Sequence, residues 1–210
     1  MAPRFDSLIF DMDGTLWDAV RSYCAVWDAT ARDFGLNRRV SYDELVPLMG
    51  QPIDVIYDRL MGDATADRAA FMESLGRNEA EMMPRLGGTL YPGVSDTLSQ
   101  LHDRGIGLYM VSNCSASGLD NFLDFTGLRR FFTDALSFGA TGLDKEMNMR
   151  ALCERYNMVS AAYVGDVQSD ADSAHAAGLP FIWAAYGFGS VIDADYRINH
   201  FNNLLELIWN

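Results

Sequence analysis

Phe5-Asp6-Ser7-Leu8-Ile9-Phe10-Asp11-Met12-Asp13-Gly14-Thr15-Leu16 is an apolar run that ends abruptly in two carboxylates. Side chains alternate along a strand, so Asp11 and Asp13 fall on the same side, and Gly14 permits a sharp turn just beyond them. Ligands of open α/β sheets bind beyond the carboxyl ends of the strands, which is where this pair stands. Two adjacent negative charges repel, and a divalent cation or a shared proton relieves the conflict by giving them different roles. One carboxylate can then attack while the other moves a proton. The competing reading is a polar turn in which an Asp caps the local backbone.

Outward from this stretch, short apolar runs suited to buried parallel strands recur at Ile106 to Val111, Ala161 to Val164 and Phe181 to Ala184, with a weaker one from Ala135 to Phe138. Helical patterns separate them. Val94, Leu98 and Leu101 share one face after the Pro92-Gly93 turn, with Gly105 as a stop; Met147, Leu152 and Tyr156 suggest another face; Ser169 to Ala177 forms a short helix closed by Gly178. The predicted fold class is α/β: a Rossmann-like, doubly wound parallel sheet with helices on both faces.

Residues 18 to 86 break the alternation. Val20, Tyr23, Cys24, Trp27, Ala31 and Phe34 follow helical spacing up to Gly35, Ser41 and Glu44 make an S-x-x-E capping box, and Pro52 suits a helix start. The expected organisation is therefore a core of residues 1–17 and 87–210, with a helical cap of residues 18–86 inserted after the first strand. A segment so placed can act as a lid. Arg21, Trp17, Tyr23, Trp27, Arg38 and Arg39 lie near its start, the aromatics read as core and the arginines as surface. Phe201 to Trp209, with Leu204, Leu205 and Ile208, reads as a packing helix.

The 210 residues carry a formal charge of -13, with 49% apolar and 21% charged residues. That charge opposes binding to nucleic acid or to an anionic membrane, so an anionic substrate has to be held by local groups. No apolar stretch approaches the 18 residues of a membrane span, and Leu8-Ile9-Phe10 is too short for a signal segment, so the expected location is the cytoplasm. Cys24, Cys114 and Cys153 form no CxxC pair and read as reduced thiols. Lys145 is the only lysine, all other basic residues being arginine. Its compact ammonium can neutralise both an attacking carboxylate and a transferring phosphoryl group. Ser112-Asn113, after the second core strand, offers a hydroxyl and an amide for phosphate oxygens. Gly165-Asp166-Val167-Gln168-Ser169-Asp170 adds two strand-end carboxylates, the hard oxygen ligands that magnesium requires.

The D-x-D-G-T-L of residues 11–16 resembles the first motif of the haloacid dehalogenase superfamily, whose members are mostly phosphatases. Ser112-Asn113, Lys145 and the G-D-x-x-x-D of residues 165–170 are similar to its remaining motifs and come in the same order, so the resemblance spans residues 5 to 187. Glu146 departs from it, since Pro commonly follows this lysine in the family. The resemblance implies Asp11 as nucleophile, Asp13 as acid and base, and Lys145 as charge stabiliser. It also implies Ser112, Asn113 and Lys145 as substrate ligands, and Mg2+ held by Asp11, the Asp13 carbonyl, Asp166 and Asp170, the last as a ligand or as an anchor.

The implied activity is magnesium-dependent hydrolysis of a small phosphate monoester through an aspartyl phosphate. Asp13 favours phosphorus over a carbon–halogen bond, because the dehalogenating relatives lack an Asp at that place. The alternatives are a phosphomutase acting on a sugar phosphate and a non-catalytic binding member of the fold. Met49-Gly50-Gln51-Pro52 resembles a loop of phosphoglycolate-phosphatase-like members. The expected partner is a small phosphorylated metabolite, with no nucleic acid and no membrane, and the expected state is a monomer or homodimer.

Overall fold

β1 (Ser7–Phe10) is completely buried in the computed structural model, which describes residues 2–64 and 67–210. It leads into the short β2 (Trp17–Asp18), then into four helices: α1 (Val20–Asp33), α2 (Tyr42–Leu45), α3 (Ile53–Leu60) and α4 (Arg68–Leu86). The chain returns through β3 (Thr89–Leu90) and α5 (Val94–Asp103) to β4 (Gly107–Ser112), and continues with α6 (Gly118–Thr126), β5 (Asp134–Ser137), α7 (Phe138–Thr141) and α8 (Lys145–Tyr156). β6 (Ala161–Gly165), α9 (Gln168–Ala177), β7 (Phe181–Ala184), β8 (Tyr196–Ile198) and α10 (Asn203–Trp209) complete it.

Six strands form one parallel sheet in the order β5-β4-β1-β6-β7-β8. Alternation along β1 distributes its side chains between two cores. Leu8 and Phe10 join a cluster containing Val94, Leu98 and Leu101 of α5 and Leu204 and Ile208 of α10. Ile9 faces the other way, into a cluster with Met149 and Leu152 of α8 and Ala171 and Ala174 of α9. Each such side chain contributes about 1.5–3 kcal/mol by leaving water, so a polar residue at Ile9 would strip one face of its anchor. The helices thus cover both faces, as the alternating pattern predicts.

On α8 the expected face is wrong. Met147 and Tyr156 are exposed, and the helix instead buries Lys145, Asn148, Met149 and Leu152. The apolar spacing was misleading because this helix turns polar groups towards the sheet end. Neither α6 nor β8 was anticipated; α6 buries Leu119, Phe122 and Leu123, and β8 pairs only with β7 at the sheet edge.

β2 and β3 pair antiparallel, Trp17 opposite Leu90 and Asp18 opposite Thr89, so the chain leaves for the four helices and returns from them along adjacent paths. Those helices gather round Phe71, whose ring lies 6.0 Å from Trp27, 5.2 Å from Phe34 and 5.4 Å from Tyr57. Ser41 and Glu44 form the expected capping box at the start of α2, and Pro52 precedes the first turn of α3. Among the described residues, no helix is long and apolar enough to cross a membrane.

Candidate active site

Strand register assembles the site. Phe10 is level with Met110 of β4 and Val164 of β6, so the residues that follow all three strands emerge together at one edge of the sheet. Asp11 continues this pattern by donating its backbone N–H to the Val164 carbonyl at 2.9 Å. Asp11, Ser112 and Asp166 are thereby brought side by side from positions spread over more than 150 residues of sequence. Lys145, at the start of α8, reaches into them from the helical layer.

The Lys145 ammonium is buried and donates to Asp11 Oδ1 at 2.8 Å and to Asp170 Oδ1 at 2.5 Å. Burial opposes its charge, but Asp11 and Asp170 outweigh that effect and hold its pKa well above the ordinary lysine value. The other oxygen of Asp170 accepts backbone N–H groups of Asp166 and Val167 at 3.1 and 3.3 Å. Asp170 therefore closes the first turn of α9 and orients Lys145 at the same time. For Asp11, burial raises the pKa to about 6, against the lowering influence of Lys145.

Asp13 is held separately. Its Oδ1 accepts the Trp17 indole N–H at 2.9 Å and its Oδ2 accepts the Tyr23 hydroxyl at 3.3 Å. Enclosure and then the charge of Asp11 push its pKa to about 8, with the two hydrogen bonds acting in the opposite direction. At neutral pH this carboxyl carries a proton it can give away. Neither holder was recognised beforehand; Trp17, at 1% exposure, was read simply as core. The available signal was its spacing: Trp17 opens β2 four residues after Asp13, and the Gly14 turn folds it back against that carboxyl.

Asp166 is buried, accepts the Phe188 backbone N–H at 2.7 Å and lies 3.4 Å from the Thr15 hydroxyl. Burial, Asp170 and Asp11 all raise its pKa well above the carboxylate norm. Gly14 has φ +82°, and a Cβ there would stand 2.1 Å from Asp166 Oδ2, so glycine is required by both backbone and space. Oxygens of Asp11, Asp166 and Asp170 lie within 4.8 Å of one another. Three clustered carboxylates against one ammonium leave surplus negative charge and an all-oxygen donor set, which fits a magnesium ion.

Ser112 is buried at the end of β4, beside Asp11 and Lys145 on the wall of a cavity of about 260 Å³. Asn113 lines the same cavity, but its side-chain amide donates to the Gly50 carbonyl at 3.2 Å, joining this loop to the segment between α2 and α3. Cys114 also lines the cavity, and burial followed by the charge of Asp13 drives its thiol far above the usual range, so it stays protonated. Arg38 is occupied by Glu44 at 2.8 Å, consistent with its reading as a surface residue.

Comparison with known proteins agrees with this geometry. The family model described as haloacid dehalogenase-like hydrolase matches residues 8–184. Phosphoglycolate phosphatase from Synechococcus elongatus is 30% identical over 184 residues, covering 87% of this chain and 84% of the relative. The Salmonella typhi phosphoglycolate phosphatase is 26% identical, covering 95% and 90%. Among solved structures, a predicted phosphoglycolate phosphatase from Haemophilus somnus superposes with a TM-score of 0.84 at 23% identity, covering 97% of this chain and 98% of that one.

Proposed function

Since this chain belongs to the haloacid dehalogenase-like hydrolase family and is a phosphatase, we propose that it hydrolyses a small phosphate monoester with magnesium, through an aspartyl phosphate on Asp11. The observation that carries the reading is the separation of the two carboxyls: Lys145 keeps Asp11 charged for attack, while Trp17 and Tyr23 fix Asp13 in place and its burial beside Asp11 favours the protonated form.

In the first step an Asp11 carboxylate oxygen bonds to phosphorus as the phosphorus–oxygen bond of the ester breaks. Asp13 donates its proton to the departing oxygen, which leaves as the alcohol. Asp13, now a carboxylate, removes a proton from water, and the resulting nucleophile attacks the same phosphorus. Inorganic phosphate departs and Asp11 is restored. Ser112 donates a hydrogen bond to the transferring group, and Lys145 offsets part of its charge.

Asp11 and Asp166 would hold a magnesium ion, with Asp170 as an anchor, and the bound ion would supply further positive charge for the phosphoryl group. The anchoring role for Asp170 is favoured because both of its oxygens already accept hydrogen bonds. Residues 18–86 serve as the cap. Their helices supply Trp27, Leu45 and Leu75 to the far wall of the cavity, excluding water from the reacting end.

Phosphate release from simple monoesters, followed with magnesium and with chelator, tests the proposal. Turnover that needs the cation and vanishes in Asp11→Asn is expected. Undiminished release by that variant would overturn the nucleophile.

A further inference from the structure

The cavity beside Asp11 is also lined by the apolar side chains of Val26, Trp27, Leu45, Ile56 and Leu75. At its side stands Glu79 of α4, whose Oε1 accepts the Ser115 hydroxyl at 2.6 Å. Lys145 is the one cation among the described residues that line this space, and it is already engaged by Asp11 and Asp170. The other acidic groups that line it are Asp11 and Asp13, the two reacting carboxyls. Beyond the reacting groups, the lining thus offers apolar walls and the Glu79 carboxyl, with no free cation among the described residues to neutralise an incoming anion.

From this arrangement we propose that Glu79 is the specificity-determining residue for the leaving group. It selects phosphate monoesters whose alcohol ends in a hydrogen-bond donor, a hydroxyl or an ammonium, and rejects those ending in a carboxylate. The inference rests on the phosphatase reading. An apolar alcohol body packs against Trp27 and Ile56, and its terminal donor replaces or joins Ser115 on the Glu79 carboxyl. A terminal carboxylate would instead face a second carboxyl whose own charge burial already opposes, so the two could sit together only by taking up a proton. Glycolate, the alcohol implied by the names of the curated relatives, is such a leaving group. At 30% identity or less, this chain lines its cavity with a carboxyl, Glu79, that opposes it. The cavity volume, near the lower end for small-molecule sites, suits an alcohol of few carbons.

Glu79 touches no reacting atom in this scheme, so its effect belongs in the ratio between substrates. The test compares kcat/KM with magnesium for aminoethyl phosphate, hydroxyethyl phosphate, 2-phosphoglycolate and phenyl phosphate, in wild type, Glu79→Gln and Ser115→Ala. Wild type is expected to favour the aminoethyl and hydroxyethyl esters over 2-phosphoglycolate by about tenfold or more. Glu79→Gln should shrink the aminoethyl-to-glycolate ratio by about tenfold, mainly through KM, with kcat for phenyl phosphate little changed. Ser115→Ala breaks the same contact between α4 and the core but keeps the charge, and should retain the discrimination. A wild type that favours 2-phosphoglycolate, or a Glu79→Gln variant that alters every ester by one factor, overturns the proposal. Should no ester be hydrolysed, the phosphatase reading falls, and calorimetric titration of the same esters into wild type and Glu79→Gln still decides the subsite. A tenfold shift in their relative affinities supports it, and equal affinities refute it.

Discussion

The indole N–H of Trp17 donates to the Asp13 carboxyl at 2.9 Å, fixing the group that has to exchange a proton with the leaving oxygen. Because Trp17 is also packed edge-on against Phe122, with ring centroids 4.9 Å apart, the donor has little freedom to wander. Trp17→Phe keeps much of the packing and removes the hydrogen bond. We expect kcat to fall about 10- to 100-fold with a smaller change in KM, the range in which residues that orient a working group act. Steady-state kinetics checks this, and an unchanged kcat would mean that Tyr23 alone positions Asp13.

Asp11→Asn should reduce turnover on the order of 10⁴-fold or more, since an amide cannot form the acyl phosphate. Its effect on folding runs the other way. Three buried carboxylates share one ammonium, so removing one negative charge relieves crowding while Lys145 keeps its 2.5 Å partner Asp170. In chelator the variant is expected to melt no lower than wild type, and calorimetry reads this directly. A large loss of stability would show that the Lys145–Asp11 pair is a structural tie rather than a site poised for chemistry.

Lys145→Met is the complementary change. It leaves Asp11, Asp166 and Asp170 buried with no counter-charge, and breaking a buried pair in this way costs about 3–5 kcal/mol. The loss should be greatest in chelator and smaller with magnesium, because the cation restores part of the missing positive charge and binds only the folded state. Thermal unfolding in the two conditions measures the difference. If magnesium raises the melting temperature of the variant no more than that of wild type, Asp11 and Asp166 do not form the cation site.

The features legible in the sequence were those that concentrate chemistry in a few adjacent residues. Asp11 and Asp166 directly follow apolar strands, with Asp13 and Asp170 a few residues on, and parallel register brings such strand ends together without further information. Lys145 stood out through its uniqueness. Trp17 and Tyr23 were obscured because an aromatic residue at helical or strand spacing looks the same whether or not its polar edge meets a carboxyl. Glu79 lay deeper still: it lies in the middle of a helix whose neighbouring charges are solvated, and only the folding of α4 over the loop after β4 brings it to Ser115. β8 escaped notice because Tyr196-Arg197-Ile198 is three residues long and has an exposed arginine at its centre.

Glu44 offers a measurement of the four-helix segment that leaves the chemistry untouched. Its carboxylate accepts the Ser41 backbone N–H at 3.0 Å and pairs with Arg38 at 2.8 Å, and Arg38, then Ser41, lower its pKa to about 2. A carboxylate depressed in the folded state stabilises it fully above the unfolded value near 4.5, and this contribution disappears as pH falls towards about 2. Its side chain is 46% exposed, so solvent screening discounts most of what the shift alone would suggest, leaving about 1 kcal/mol for the cap and ion pair together. Glu44→Gln keeps an acceptor for the Ser41 N–H but loses the charge that pairs with Arg38, so it should lower the unfolding free energy by no more than that amount at pH 7, with kcat unchanged. The two proteins should converge as the solution is acidified through this window. A difference that persisted to the lowest pH would assign the loss to packing of the side chain, since only the charged form of Glu44 holds both Arg38 and the α2 cap.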